Sequence, residues 1–358
     1  MLILIAVASA AFASWTVAYL HPQGFTQSYL NGVSGEHQVG NLFGETPPHA
    51  TLWSGTVESR VDLNPAGSSF PDALGIYGDQ QVGYVFGSGT GNRDHASLWR
   101  GTAESWVDLH PAGYYNSWAR AVSDSEQVGY SAIDYLYRHA GLWRGTAGSW
   151  KDLNPAGYDY SEAMAVCEGQ QAGYTKVGNY EHASLWSGTA ESWVDLHPAG
   201  YDASTVEGVS DGQQVGYAVR LHSDPVAGLW NGTALSWVNL NPEWSTYSMA
   251  WACFQGKQVG LAAGSGHPEH AVLWNGAADD YVDLHDLLDP RFVASGAVAI
   301  DGAENSLSIA GSAIGPGGIM EAVLWQFTPN VVPEPGSLLA LGSGLLGLAG
   351  LVVRRRIR

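Results

Sequence analysis

The 358-residue chain has 46 glycines and 11% aromatic but only 14% charged residues, a composition too apolar for disorder and suited to short strands joined by tight turns. Its formal charge is −19, and residues 14–333 hold 11 Lys and Arg against 33 Asp and Glu, so the surface repels phosphate backbones and no nucleic-acid partner is expected. Two cysteines, Cys167 and Cys253, exclude a disulfide framework.

Residues 1–13 form an apolar run ending in Ala11-Phe12-Ala13, a small-x-small pattern that a signal peptidase cuts before Ser14. This segment reads as a signal peptide, although it lacks a basic n-region. From there to residue 327 the chain repeats itself. HASLWRGTAESWVDLHPAGY (His95 to Tyr114) returns almost unchanged from His182 to Tyr201. Its Leu-Trp pair recurs at Trp53, Trp99, Trp143, Trp186, Trp230, Trp274 and Trp325, at intervals of 46, 44, 43, 44, 44 and 51 residues. A fixed period near 44 overrides the usual expectation of two or three separate domains and points to one array.

Each unit reads as four strands. In the unit around Trp118 these are Trp118 to Ser123, Gln127 to Ala132, His139 to Trp143 and a WVDL-type strand, separated by Gly, Asp, Asn and Pro turns. The short Gly-containing turn after Leu-Trp suits a hairpin within one sheet. The longer Asp-Leu-His/Asn-Pro-Ala-Gly segment suits a crossing to the next sheet. Residues 15–20 then look like a fourth strand without the first three, and the array stops at Trp325 on a third strand. The N-terminal strand can therefore complete the last sheet. The expected fold is an all-β, seven-bladed β-propeller of four-stranded antiparallel blades over residues 14–327, closed by that strand and leaving no open edge. An open β-solenoid is the alternative.

The repeated polar residues read as construction. His49, His95, His139, His182 and His270 share a slot that holds Val226 and Glu321 in two other units, and one residue per blade does not gather round a zinc ion. A hydrogen bond to a turn is expected, with no metal or other cofactor. Asp62, Asp108, Asp152, Asp195 and Asp283 share a slot with Asn239; a turn-fixing acceptor survives that exchange, whereas a catalytic carboxylate loses its charge. Cys167 and Cys253 read as buried residues in the slot of Ser123 and Ser210.

Two features break the pattern. The crossing Asp283 to Gly296 is longer than the others and brings Asp286, Asp289 and Arg291 together in sequence. Tyrosines end the second strands (Tyr84, Tyr130, Tyr174, Tyr217) and populate the crossing loops (Tyr114, Tyr115, Tyr158, Tyr160, Tyr201). Exposed aromatics beside polar loops can stack on sugar rings. Asp286, Asp289, Arg291, Tyr114, Tyr158 and Tyr201 are thus the candidate ligand-binding residues, and no catalytic residue is assigned, since nucleophile-elbow, phosphate-loop and zinc-protease patterns are lacking.

After Phe327 the composition changes. A proline-containing linker (328–337) precedes sixteen apolar or small residues (338–353), read as a transmembrane helix, and a basic tail (354–358) that stays cytoplasmic. Pro333, Glu334 and Pro335, the apolar segment, and Arg354, Arg355 and Arg356 together resemble the PEP-CTERM sorting signal of Gram-negative bacteria. That resemblance implies export across the inner membrane, processing by an exosortase-type peptidase, and delivery to the cell surface or extracellular matrix. The repeats, as in His95-Ala96-Ser97-Leu98-Trp99, resemble the HAF family of probable extracellular repeats, with Ser, Thr, Gly or Val in place of the aromatic third residue. This second resemblance implies an exported repeat protein without established chemistry. The expectation is an exported, non-catalytic interaction module whose partner includes extracellular polysaccharide. The alternative is a carbohydrate-active propeller enzyme, a glycoside hydrolase or lyase, using Asp286, Asp289 and Arg291.

Overall fold

The computed structural model describes residues 14–44, 47–303 and 306–329. The expected signal peptide, the sorting residues Pro333, Glu334, Pro335, Arg354, Arg355 and Arg356, and the segment 338–353 lie outside the described residues. Among the described residues no helix is long and apolar enough to cross a membrane.

Seven four-stranded sheets follow one another along the chain. In the third, Asn116–Ser123 pairs antiparallel with Glu126–Ala132, that strand with Arg138–Trp143, and Arg138–Trp143 with Lys151–Asp152. The order within a blade is therefore the order in sequence, as the turn chemistry requires. The last blade differs: Ala294–Ala303, Ser306–Ile314 and Met320–Thr328 are completed by Ser14–Tyr19, and the Leu20 N–H bonds to the Ala322 carbonyl at 2.9 Å. The ring is closed by the N-terminal strand, and the chain is a seven-bladed β-propeller.

The Leu-Trp pair explains why blades stack. All seven of its tryptophans are fully buried, and each such burial stabilises the ring by roughly 1.5–3 kcal/mol. The clusters form between neighbouring sheets. Leu30, Val33, Leu42 and Trp53 of the first blade pack against Ala310, Ala322 and Leu324 of the last.

Outer strands are shorter than the sequence suggests, only Val107–Asp108 in the second blade. Trp106 lies outside the ladder, and its indole N–H donates to Ser97 Oγ at 2.9 Å. The preceding Ala103–Ser105 segment winds into one 3₁₀ turn pinned by Ser105 Oγ, which donates to the Thr102 carbonyl at 2.6 Å. Cys167 does take the slot of Ser123 and Ser210. Cys253 does not: it pairs with Gln258 one residue earlier, where Val209 pairs with Gln214, and Phe254 occupies the serine slot. Both cysteines are free thiols.

Candidate functional site

The repeated histidines and aspartates find each other. Nδ1 of His49, His95, His139, His182 and His270 lies 2.7–2.9 Å from Oδ2 of Asp62, Asp108, Asp152, Asp195 and Asp283. The other carboxylate oxygen accepts the N–H two residues on, as at His110 (2.8 Å) and Asn154 (2.7 Å). Each pair clamps third strand to outer strand and sets the crossing turn. Burial alone pushes the Asp108 carboxyl up, but the bonds from His95 and the His110 N–H outweigh it and hold it below the usual value. In the fifth blade Val226 and Asn239 replace both partners together, and Asn239 still accepts the Asn241 N–H at 2.7 Å. Among the described residues no group of three His, Cys, Asp or Glu is placed to hold a metal ion.

The long crossing performs the same task at the ring closure. Glu321 stands in the histidine slot of the last blade and Tyr19 in the aspartate slot. Arg291 grips Glu321 with both guanidinium nitrogens, each at 2.6 Å, and lies over the rings of Phe292 and Tyr19. The Asp289 N–H donates to Tyr19 Oη at 2.8 Å, and its carboxylate accepts the Arg291 N–H at 2.9 Å. Asp286 sits on a separate 3₁₀ turn, His285–Leu287. Arg291 is thus directed to Glu321 rather than to the two aspartates beside it in sequence. The loop tyrosines are also dispersed, one per blade: Tyr114 packs on Trp150, Tyr158 on Trp193 and Tyr201 on Trp237, with centroids 5.2–5.7 Å apart.

The asymmetric groups that do converge lie on the inner strands. Each inner strand carries a β-bulge, and the extra residue is different in every blade: Asn31, Leu74, Arg120, Met164, Glu207, Trp251 and Val298. A bulge bends its strand and re-aims one side chain, here into the central channel. Opposite every bulge stands a glycine, the last residue of Gln-Val-Gly in five blades, of Gln171-Ala172-Gly173 in the fourth and of Ile309-Ala310-Gly311 in the last. A Cβ on Gly129 would lie 1.9 Å from the Trp118 carbonyl oxygen, and the six equivalent glycines are as tightly placed. That contact explains the glycine. Around the bulges the seven inner strands line a cavity of about 360 Å³ whose mostly aliphatic wall is broken by Asn31, Arg120 and Glu207. Burial pushes the Glu207 carboxyl in this channel up to about 8, opposed by Arg120.

Two residues before each bulge lies a second variable slot, paired across the sheet in blades 2 to 5 with Tyr84, Tyr130, Tyr174 and Tyr217, which sit within the second strands and not at their ends as the sequence suggests. Glu162 is buried there between Arg120 (Nε, 2.6 Å), Arg138 (Nη1, 3.0 Å) and the Tyr174 hydroxyl, which donates at 2.9 Å. Tyr84 stacks on Trp118 at 4.2 Å, and Arg138 lies over Tyr130 and Tyr160. Asp72, bonded by Asn31 (3.4 Å) and Asn41, is pushed up to about 6 by burial, with Asn41 and Arg120 opposing. Glu162 and the two arginines offset one another, Asp72 is satisfied by amides, and the channel mouth of blades 2 to 4 is an aromatic-faced floor.

Beside that floor, the third blade's hairpin between its second and third strands, Ile133 to Tyr137, projects Tyr135 (84% exposed) and Leu136 (71%) into solvent. Its turn is held by the Asp134 carboxylate, which accepts the N–H groups of Leu136 and Tyr137 at 2.7 and 3.0 Å. Neither this hairpin nor the bulge slot is marked by the repeat, because both sit where the repeat varies. The readable signal was Ile-Asp-Tyr-Leu-Tyr at a turn where other blades carry Gly, Ser, Asn or Pro.

Residues 331–356 match the PEP-CTERM protein-sorting motif. The chain carries an export and sorting signal. The motif implies delivery to the cell envelope and processing by an exosortase. No curated protein matches the sequence. Among solved structures, the fold is similar to an oligogalacturonate lyase in complex with manganese (TM-score 0.54, 10% identity, 90% of this chain and 97% of that one). It is also similar to the β-propeller domain of the Trilobed protease from Pyrococcus furiosus (TM-score 0.53, 7% identity, 87% and 99%). A puromycin hydrolase aligns with 84% of the chain at 12% identity and a TM-score of 0.48, and there the chain spans only half the length of its relative. At such identities the likeness is one of fold.

Proposed function

We propose that this chain is an exported, non-catalytic propeller that acts as an interaction module at the cell surface or in the extracellular matrix, with polysaccharide as its partner. The single observation that carries the reading is the disposition of charge at the channel mouth. Glu162, 1% exposed, is held inside the fold between two guanidinium groups and a hydroxyl, so it braces the surface above it and is not presented to a reacting group, which suits binding better than catalysis. The sorting motif and the resemblance of the repeats to HAF extracellular repeats support export to the compartment where such polymers occur.

The test uses the full-length chain in a sugar-free detergent, mixed with polysaccharides extracted from the cell envelope and matrix. The module reading expects retention on polymer without release of reducing ends or unsaturated products, and unchanged retention after Asp286→Asn or Asp289→Asn. Product release that either substitution abolishes establishes the carbohydrate-active enzyme instead.

A further inference from the structure

We propose that the Ile133 to Tyr137 hairpin is the contact platform for a neutral polysaccharide, with consecutive sugar units seated on its two sides; this rests on the interaction-module reading and assigns its site and ligand class. Two clefts flank the hairpin. One, of about 210 Å³, is lined by Tyr130, Tyr135, Tyr137, Arg138 and Tyr160 with Asn116 and Asp134 at its edge. The other, of about 350 Å³, is lined by Leu136, Tyr137, Tyr158, Tyr160, Asp159 and Lys176. Leu136, Tyr137 and Tyr160 belong to both, so they form the wall between two adjacent seats.

Tyr135 leans on Tyr115, with ring centroids 4.5 Å apart and their hydroxyls bonded, but the fold gives no reason for Ile133, Leu136 and Tyr137 beside it. Burial stabilises apolar side chains, and Ile133, Tyr135, Leu136 and Tyr137 are 51%, 84%, 71% and 43% exposed. Among the described residues, the equivalent hairpins of the other blades carry at most one large exposed apolar side chain each, such as Leu221 or Ile319. A contiguous exposed group of this kind marks an interaction surface.

The chemistry of the clefts selects the occupant. A pyranose has an apolar face and a hydroxyl rim; Arg138 already covers one face of Tyr130 and of Tyr160, and the Tyr137 ring, which lines both clefts, is the face left for a sugar beside fixed polar groups. The hydroxyls of Tyr137 and Tyr160 make no hydrogen bond to the described residues and are available to a sugar rim. Charge is offset around each cleft: Arg120 and Arg138 face Glu162 and Asp134 at the first, with Arg138 bonded to Glu162 at 3.0 Å, and Lys176 and Asp159 line the second. The seats are thus locally balanced on a chain of formal charge −19, which disfavours an acidic polymer at long range. An anionic membrane is disfavoured by the same charge, and the apolar groups wall two concave seats instead of forming one continuous cap. A flat protein partner would need about 800 Å² on this side, whereas the hairpin offers two small concavities.

The test is affinity electrophoresis of the full-length chain, in sugar-free detergent, through gels containing neutral polymers (dextran, mixed-linkage β-glucan, galactomannan) or acidic ones (alginate, polygalacturonate). Liposome flotation is run in parallel. Retardation is expected on at least one neutral polymer, weakened about tenfold or more by Tyr137→Ala and by Tyr160→Ala. Tyr137→Phe keeps the ring and retains most of the binding, and Leu221→Ser on the fifth blade's hairpin leaves it unchanged. Retardation by acidic polymers alone, or flotation lost in Leu136→Ser without any polymer binding, overturns the proposal. Neutral-polymer binding indifferent to Tyr137 and Tyr160 overturns the site while the module reading stands; product release overturns the module reading itself.

Discussion

Within each blade the outer and inner halves were built under different constraints. In the outer half, third strand and outer strand are held by the same His and Asp in blades 1, 2, 3, 4 and 6, with partners 2.7–2.9 Å apart. Exceptions change both partners at once: Val226 with Asn239, and Glu321 with Tyr19. In the inner half the backbone is equally regular, a bulge opposite a glycine seven times over, yet the side chain that each bulge aims into the channel is never repeated. The contrast teaches that recurrence of a polar residue in this ring marks a joint. Variation at a fixed backbone position, by contrast, marks a surface released from the construction.

Several substitutions break or sharpen that contrast. The largest effect is expected from Gly129→Ala. The new Cβ meets the Trp118 carbonyl oxygen at 1.9 Å, and backbone cannot step aside, so a loss of about 3 kcal/mol or more is expected, upward of the usual overpacking cost. Chemical denaturation measures it, and an unchanged midpoint would remove the bulge as the reason for the glycine.

Next in size is a pH effect in the inner half. Glu207 binds its proton more tightly folded, near 8, than unfolded, near the ordinary glutamate value, so the folded state loses stability as pH rises between them. The slope is at most about 1.4 kcal/mol per pH unit. Glu207→Gln should remove that slope, so that the two proteins' stability curves diverge steadily across pH 5–8 and the variant becomes the more stable one at pH 8. Parallel curves would mean that Glu207 is ionised throughout. The crossing-loop histidines act in the opposite sense. Burial and the stacked histidine beside each hold His110, His197 and His285 below the ordinary value. Their contribution is present above about pH 6.5 and is lost as pH falls through the lowered values, in wild type and variant alike.

At the closure, Arg291→Ala leaves Glu321, only 7% exposed, without its partner. Because the guanidinium is partly in solvent, a loss of about 1–2 kcal/mol is expected, below that of a fully buried pair. Thermal unfolding checks it, and Asp286→Ala should leave the midpoint within its error. The smallest change is in an ordinary clamp. His95→Val should cost about 1 kcal/mol by orphaning one carboxylate oxygen. Adding Asp108→Asn should cost less than the sum of the two single changes, since the fifth blade carries that combination. Strict additivity in the double-mutant cycle would argue that the two residues act separately.

Much of the ring was legible because its evidence was repetitive. Seven Leu-Trp pairs, the order of turn types and a lone fourth strand at residues 15–20 specify blade order and closure, and Asp108 reads correctly as a turn-fixing acceptor, whereas His95 bonds to Asp108 across the strands and not to a turn. The sorting motif was legible as well. Less so were long-range partners: Arg291 stands near Asp286 and Asp289 in sequence, but its partner Glu321 lies thirty residues on. The bulge was hidden because Trp-Ala-Arg-Ala-Val-Ser shows no interruption by residue type alone. Tyr114, Tyr158 and Tyr201 drew attention by recurring, which in this molecule is the property of packing residues. Of the three, Tyr158 alone also lines a cleft beside the exposed hairpin.

One paired measurement tests the central claim that the repeated residues build and the unrepeated hairpin binds. Polysaccharide affinity is compared between the His95→Val, Asp108→Asn double variant and Tyr137→Ala, with folding of both verified by denaturation. The account expects the clamp variant to bind as wild type does and the hairpin variant to lose about tenfold or more. A folded clamp variant that loses affinity while Tyr137→Ala keeps it would contradict the claim.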